Sequence, residues 1–410
     1  MMCRNESGSI VTLTTSCGWQ GLMTATIAYV DHAKQIGGAE RSLVELIAHL
    51  DRERFDPVVL HRPEAAWAED AQRAGARIRA TVPDSELYDE KRGDLGGGML
   101  SGLRRLVRAS GPVRALRREL RALAPDLVHT NSTKMHLMGG AAARLSGLPV
   151  IWHMRDLLTE PGARSWLHRA ARRVRPRVIA ISEAVVAQFE GLPCRVHLIP
   201  NGIPLERFAP GPPPPGLREE LGLRPGAPVA CVVGRLTPWK GHQVLLRAWV
   251  KVAERIPEAR LLIVGEVAFW EESYEQELRD LASGLRLDEY VRWLGFREDV
   301  PDLLRLSDLL VLPSIDEPFG RVMIEAMGAE LPVVATNSGG VPEIVVDAET
   351  GVLVPPGQAE PLGEAIAEVL TDPARAREMG AAGRRRALER FGVRRVAEQV
   401  GRVYDEMLSG

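Results

Sequence analysis

The chain has 410 residues, 45% hydrophobic and 26% charged, which is enough apolar material for a large core and enough length for two or three domains. Lys plus Arg is 52 and Asp plus Glu is 54; a formal net charge of −2 excludes a protein built to coat nucleic acid. The balance is uneven, with seven surplus positive charges over residues 1–200 and nine surplus negative charges over residues 201–410.

Four cysteines, Cys3, Cys17, Cys194 and Cys231, show neither a CxxC pair nor Cys/His metal spacing, so no disulfide framework is expected and a reducing cytoplasm fits. No apolar run approaches the roughly 20 residues that cross a bilayer. Residues 1–22 are Thr/Ser-rich without a hydrophobic period and are expected to be a disordered extension ahead of the first strand.

Short β-rich runs then alternate with longer helical patterns. Strands are expected at Thr26–Val30, Pro57–Leu60, Leu127–Thr130, Val150–His153 and Arg177–Ile181, and helices over Glu40–Leu50, Gly102–Ala124, Lys134–Leu145 and Glu183–Glu190. This alternation predicts a parallel sheet covered by helices. Five prolines within residues 209–216 permit neither helix nor central strand. The expected organisation is therefore a first domain over 23–205, a Pro-rich linker over 206–217 and a second domain over 218–410. The alternation restarts at Val229–Val233 and continues through Pro332–Ala335. From Pro361 to Leu408 the pattern is helical, and these last helices are expected to pack back on the first domain.

Open parallel sheets bind ligands beyond the carboxyl ends of their strands. Three turns after predicted strand ends in the second domain carry the relevant chemistry. After Val233 comes Gly-Arg-Leu-Thr-Pro-Trp-Lys-Gly, where Arg235 and Lys240 beside a helix start suit a diphosphate, although a tight turn with two exposed cations has the same sequence. This turn is neither a GxGxxG nor a P-loop. After Leu312, Pro318 and Gly320 force an irregular loop. The following helix would direct free N–H groups from about Gly320 to Met323 toward the strand end, with Glu317 in the loop and Glu325 a turn inside the helix. A third Gly-rich turn, Asn337 to Glu343, follows Ala335. In the first domain, Gly37 and Gly38 precede a helix, and His129 and His153 end strands. Each histidine also has a purely structural reading.

The Glu317-x7-Glu325 pair in EPFGRVMIEAM, with GRLTPWKG before it, GGVPE after it and IPNGI at Ile199–Ile203, resembles the retaining glycosyltransferases of the GT-B fold, family 4. The resemblance runs from about Thr26 to the C-terminus and is most specific in the second domain. It implies an α/β fold of two Rossmann-like domains facing each other across a cleft, an acceptor domain followed by a nucleotide-sugar donor domain. By the same resemblance Arg235 and Lys240 hold the donor diphosphate and Glu325 the ribose, while Glu317 lies against the donor sugar. The backbone around Phe319, Gly320 and Arg321 receives sugar hydroxyls or phosphate, Gly37 and Gly38 face the phosphates from across the cleft, and His153 stands near the reacting sugar. Phe296 and Arg297 would border the base. Asp156 is a further neighbour of His153.

The implied co-substrate is a nucleotide diphosphate sugar, with a UDP-sugar favoured, and neither a metal nor another cofactor is expected. The acceptor would be a glycan, a lipid-linked sugar or a small-molecule hydroxyl. A GT-B sugar-nucleotide epimerase and a non-catalytic nucleotide-sugar-binding partner share the cleft and are the alternatives. Two Arg-rich runs, Arg104–Arg121 and Arg164–Arg177, read either as a solvated face or as a basic surface for an anionic membrane. Gly111 and Pro112 are expected to split the first run into two segments. The resulting expectation is a cytoplasmic protein, peripheral at the inner membrane face.

Overall fold

The computed structural model describes residues 24–83, 99–267 and 272–409, with side chains of 99–107 and 272 excepted. Residues 1–22, expected to be an extension, lie outside the described residues. The first sheet has seven strands: β1 (Ala25–Val30), β2 (Phe55–His61), β3 (Arg77–Ala80), β4 (Leu127–Thr130), β5 (Val150–Met154), β6 (Arg177–Ala180) and β7 (Val196–Leu198). They lie in the order β3-β2-β1-β4-β5-β6-β7, all parallel. The second sheet has six: β8 (Val229–Val233), β9 (Arg260–Val264), β10 (Val291–Gly295), β11 (Leu309–Leu312), β12 (Val333–Thr336) and β13 (Gly351–Val354). Their order is β10-β9-β8-β11-β12-β13, again parallel. The architecture is thus α/β with two doubly wound sheets.

Strands such as VACVV, RLLIV and LLVL are apolar without alternation because helices cover both faces of a parallel sheet. The helices are one-sided. In His242–Arg255, Leu245, Leu246, Trp249, Val252 and Ala253 form the buried stripe that packs on the second sheet.

Strand order reverses direction between β1 and β4 in the first sheet and between β8 and β11 in the second, and each reversal opens a crevice at the carboxyl ends. The two crevices confront each other. Arg321 of the second half bonds Ser42 Oγ at 2.7 Å and Glu45 at 2.8 Å in the first, and Ser182 Oγ donates to the Pro318 carbonyl at 2.7 Å. Glu343 accepts the Glu183 backbone N–H at 2.9 Å, capping a helix of the opposite half.

Residues 209–214 carry neither helix nor strand. Pro373–Arg390 packs on Arg321–Gly328, and the final helix, Val393–Leu408, crosses to the first sheet. There Tyr404 stands edge-on to Phe55 at 5.3 Å, and Asp405 pairs with Arg54. The last helix is therefore part of the core under β1 and β2.

Three readings need correction. Residues Met99–Leu123 form one continuous helix with Pro112 inside it, so Gly111 and Pro112 do not split the run: Pro112 removes one amide donor, but the flanking turns and the packing of Leu116 and Leu120 hold the helix together. The expected Glu183–Glu190 helix is a short α segment, Glu183–Val186, followed by a tighter turn, Ala187–Phe189. Lastly, the Met323 N–H is bonded to the Gly320 carbonyl at 3.0 Å, so it is not one of the free amides of that helix start.

Candidate active site

The turn after β8 owes its shape to glycine. Gly234 and Gly265 approach so closely that a Cβ on Gly265 would lie 2.0 Å from the Gly234 carbonyl oxygen; the Gly241 φ of +74° brings its Cα against Pro313, where a Cβ would meet the carbonyl oxygen at 2.0 Å. These contacts lock the β8 turn onto the β11 loop, and the Ile315 N–H donates to the Trp239 carbonyl at 2.8 Å. Lys240 is thereby delivered to Glu317: Nζ to Oε2 is 2.7 Å, with Ser314 Oγ donating to the same oxygen at 2.9 Å. Lys240 Nζ also stands 4.4 Å from the Trp239 ring centroid. Glu317 is buried, so its charge is held by this ammonium and hydroxyl rather than by water.

Gly320, with φ +88°, starts the Arg321–Gly328 helix, and Gly339 and Gly340 press against the same loop. The Gly340 N–H donates to the Glu317 carbonyl at 2.9 Å. Phe319 is 3% exposed and edge-on to Phe391 at 6.1 Å, so its side chain is core and only its backbone borders the loop. Glu325 is buried beside Arg321 at 3.4 Å, and the Arg321 guanidinium is taken up by Glu45, Ser42 and the Gly202 carbonyl. Glu325 and Arg321 thus belong to the seam between the halves.

From the first half, the Gly37–Gly38 turn faces this array. A Cβ on Gly37 would lie 3.4 Å from Arg235 Nη2 and one on Gly38 would lie 3.8 Å from Arg321 Cδ. The Gly37 N–H is bonded by Glu40 Oε2 at 2.8 Å. Burial and the nearby Asp31 push the Glu40 carboxyl up to about 7. The structure therefore brings Gly37, Gly38, Arg235, Lys240, Glu317, Gly320, Arg321 and Glu325 to one cleft. Phe296 is half exposed and its N–H reaches Glu266, while Arg297 is held by Asp299 at 2.6 Å and Glu220 at 2.9 Å, so that cation is already paired.

His153 is buried at the end of β5, bonded at Nδ1 by His129 Nε2 at 3.1 Å and approached there by Arg155 Nη2 at 3.3 Å; burial and the Arg155 charge hold it well below its ordinary value, hence neutral. It borders a cavity lined also by Ser42, Arg155, Asn201 and Gly202. Asp156 accepts from Thr133 Oγ1 at 2.7 Å. Several polar residues here escaped the sequence reading. Asp31 accepts from Asn131 Nδ2 at 2.9 Å, and Arg155 joins Asn131 Oδ1 at 2.8 Å to Asn201 in the IPNGI stretch. Asp31, Asn131 and Arg155 all follow strand ends, so the rule applied to the second sheet would have found them. Among the described residues, no group of three or more His, Cys, Asp or Glu side chains is placed to hold a metal ion. No helix is long and apolar enough to cross a membrane, again among the described residues.

Comparison with known proteins shows the family. Residues 36–207 match the model "Glycosyltransferase Family 4" and residues 215–386 match "Glycosyl transferases group 1". The chain is 31% identical over 313 residues to alpha-maltose-1-phosphate synthase of Mycolicibacterium smegmatis, covering 69% of this chain and 79% of that one. It is 30% identical over 262 residues to the Escherichia coli UDP-Gal:alpha-D-GlcNAc-diphosphoundecaprenol alpha-1,3-galactosyltransferase, covering 60% and 67%. Among solved structures, Anabaena HepE in complex with UDP-glucose superposes with a TM-score of 0.78 at 25% identity, over 93% of this chain and 100% of that one. The chain is a GT-B nucleotide-sugar glycosyltransferase and belongs to the group 1, family 4 glycosyltransferases.

Proposed function

We propose that the protein transfers a hexose from a UDP-sugar to a hydroxyl acceptor with retention of anomeric configuration. The observation that carries this reading is the convergence of Arg235, Lys240 and the Gly37–Gly38 turn at one cleft beside the buried Glu317. Two cations facing a glycine turn across a cleft suit a diphosphate, and their fixed positions stabilise the charge that grows on it as the sugar–phosphate bond breaks. Glu317 is the carboxylate assigned to face the sugar, and its pairing with Lys240 in the free protein supports a shared site. Glu325 is assigned to the ribose, with Arg321 fixing the helix that carries it.

The acceptor enters against the first half, residues 23–205, and the donor against the second, 218–410. With no carboxylate assigned beneath the anomeric carbon, the hydroxyl attacks on the leaving-group face. Its proton goes to a departing phosphate oxygen while positive charge is briefly held on the ring. Arg235 and Lys240 supply the electrostatics, so no metal is assigned. The UDP preference rests on the nucleotide in the Anabaena HepE complex and in the name of the galactosyltransferase relative. A lipid-linked glycan acceptor rests on the latter name and on the Arg-rich helices of the first half.

The test is a thermal-melt panel of UDP, GDP, ADP and dTDP sugars, followed by incubation of the best with an acceptor library, with and without EDTA. Ligand at 100 times its Kd adds about 2.7 kcal/mol. A UDP-sugar is expected to give the largest shift, and EDTA-resistant transfer is expected to follow. Epimer formation without acceptor, or binding with no turnover, would contradict the proposal.

A further inference from the structure

Buried side chains form an unbroken polar chain beneath the cleft. Tyr29 Oη lies 2.9 Å from Tyr404 Oη, Tyr404 Oη lies 2.8 Å from His129 Nδ1, His129 Nε2 lies 3.1 Å from His153 Nδ1, and Arg155 Nη2 lies 3.3 Å from that same Nδ1. His153 Nε2 has no partner. Tyr404 comes from the last helix, so the chain joins three distant parts of the sequence.

The direction of these hydrogen bonds follows from Arg155. A guanidinium has only donors, and its Nε and Nη1 are already spent on Asn131 and Asn201. Facing it, His153 Nδ1 must be the acceptor. Since burial and the Arg155 charge keep His153 neutral, its one proton sits on Nε2. His129, also neutral, then donates from Nε2 and accepts at Nδ1 from the Tyr404 hydroxyl, which in turn accepts from Tyr29. Every proton in the chain points toward His153.

We infer that Arg155 is a positioning residue that fixes His153 in its Nε2–H tautomer, so that the histidine the family resemblance sets near the reacting sugar presents a hydrogen-bond donor there and not an acceptor. The sugar contact rests on the proposed function; the tautomer does not, and it is read in the free protein. With Nε2 protonated and the Nδ1 lone pair taken up by His129 and Arg155, His153 gives a hydrogen bond and has no free lone pair with which to remove the acceptor proton.

Nitrogen-15 NMR of histidine-labelled free protein reads the tautomer directly. Nε2 protonated and Nδ1 bare at His153 is expected. The reverse pattern overturns the inference. Arg155→Met should give a mixture of the two tautomers, and Arg155→Lys, which keeps a cationic donor, should return the Nε2–H form. An unchanged tautomer in Arg155→Met means that Arg155 is only structural and overturns its directing role. His129→Gln, which places an amide N–H where Nε2–H stood, keeps the test alive if Arg155→Met does not fold: the Nε2–H form is expected, and its loss would count against the inference. Calorimetry with UDP and UDP-glucose then separates the two readings. Loss of one neutral hydrogen bond should weaken UDP-glucose about five-fold in His153→Phe and leave UDP within about two-fold. Equal weakening of both overturns the sugar contact. If UDP-glucose fails to bind the unsubstituted protein, the donor assignment falls while the tautomer result stands.

Discussion

Glu317 and Glu325 share a motif yet meet different partners, and their substitutions should separate. Glu317 is bonded to Lys240 and Ser314 and is the residue proposed to face the sugar, so on that proposal its interactions can strengthen as charge develops there. Glu325 sits inside the helix, beside Arg321, and is assigned to a ribose that does not change during reaction. Interactions made only in the transition state appear in kcat, and uniform binding appears in KM. Glu317→Gln should lower kcat by about ten-fold or more, the cost of one charged hydrogen bond, and Glu325→Gln should mainly raise donor KM. Steady-state kinetics on both variants checks this; two pure KM effects would refute the assignment. The sequence could name these residues because they lie within one motif. It could not show that Arg321 is consumed by Glu45 and Ser42, whose positions are some 280 residues away.

At the scale of elements, the central strands were legible, and of the edge strands only β10 was. β8, β9, β11 and β12 are buried on both faces and read as continuous apolar runs. β3, with the sequence RIRA, and the three-residue β7 sit at sheet edges, where one side faces solvent and the pattern fades. Pro112 misled because a single missing amide is cheaper than losing the packed face of the helix. The glycine turns were legible as turns, but their contacts were not. Gly339 has φ +56°, and a Cβ there would lie 2.0 Å from the Glu317 carbonyl oxygen. Gly339→Ala should therefore displace the Glu317 loop, costing at least about 1 kcal/mol of stability and a matching loss of kcat. A melt and a rate measured on this variant check it; wild-type values in both would show that the loop tolerates the displacement.

Across the whole molecule, four buried neutral histidines should set the acid limit of stability. Burial holds His129 and His153 well below 6.5, brings His136 down to about 3 and, with the nearby Lys240 charge, brings His242 down to about 4. Below pH 6.5 the unfolded chain takes up protons that the folded chain refuses, so stability is present above that pH and is lost as pH falls. Each histidine contributes a slope of up to about 1.4 kcal/mol per pH unit. Denaturant melts between pH 7 and pH 5 should show this loss, and His136→Asn should make the slope shallower by up to about 1.4 kcal/mol per pH unit. A slope unaltered by that substitution would exclude the histidine as a source.

The same scale carries the charge asymmetry. The Met99–Leu123, Thr133–Leu145 and Pro161–Val174 helices pack side by side on the first sheet and expose Arg118, Arg121, Arg172 and Arg173. Reversing these four to Glu should release the protein from anionic vesicles, each basic residue contributing about 1 kcal/mol near such a surface. Co-sedimentation checks this. No pelleting by the unsubstituted protein, or unchanged pelleting by the variant, would leave the arginines as a solvated face.

The account centres on transfer from a UDP-sugar with retention, and the stereochemistry of the first product formed tests it most directly. Proton NMR of a reaction containing UDP-α-glucose, or the UDP-sugar that binds best, and a competent acceptor should show the small anomeric coupling of an α-glycoside from the earliest time points. A large coupling, marking a β-glycoside, would contradict the same-face route and the roles given to Arg235, Lys240 and Glu317.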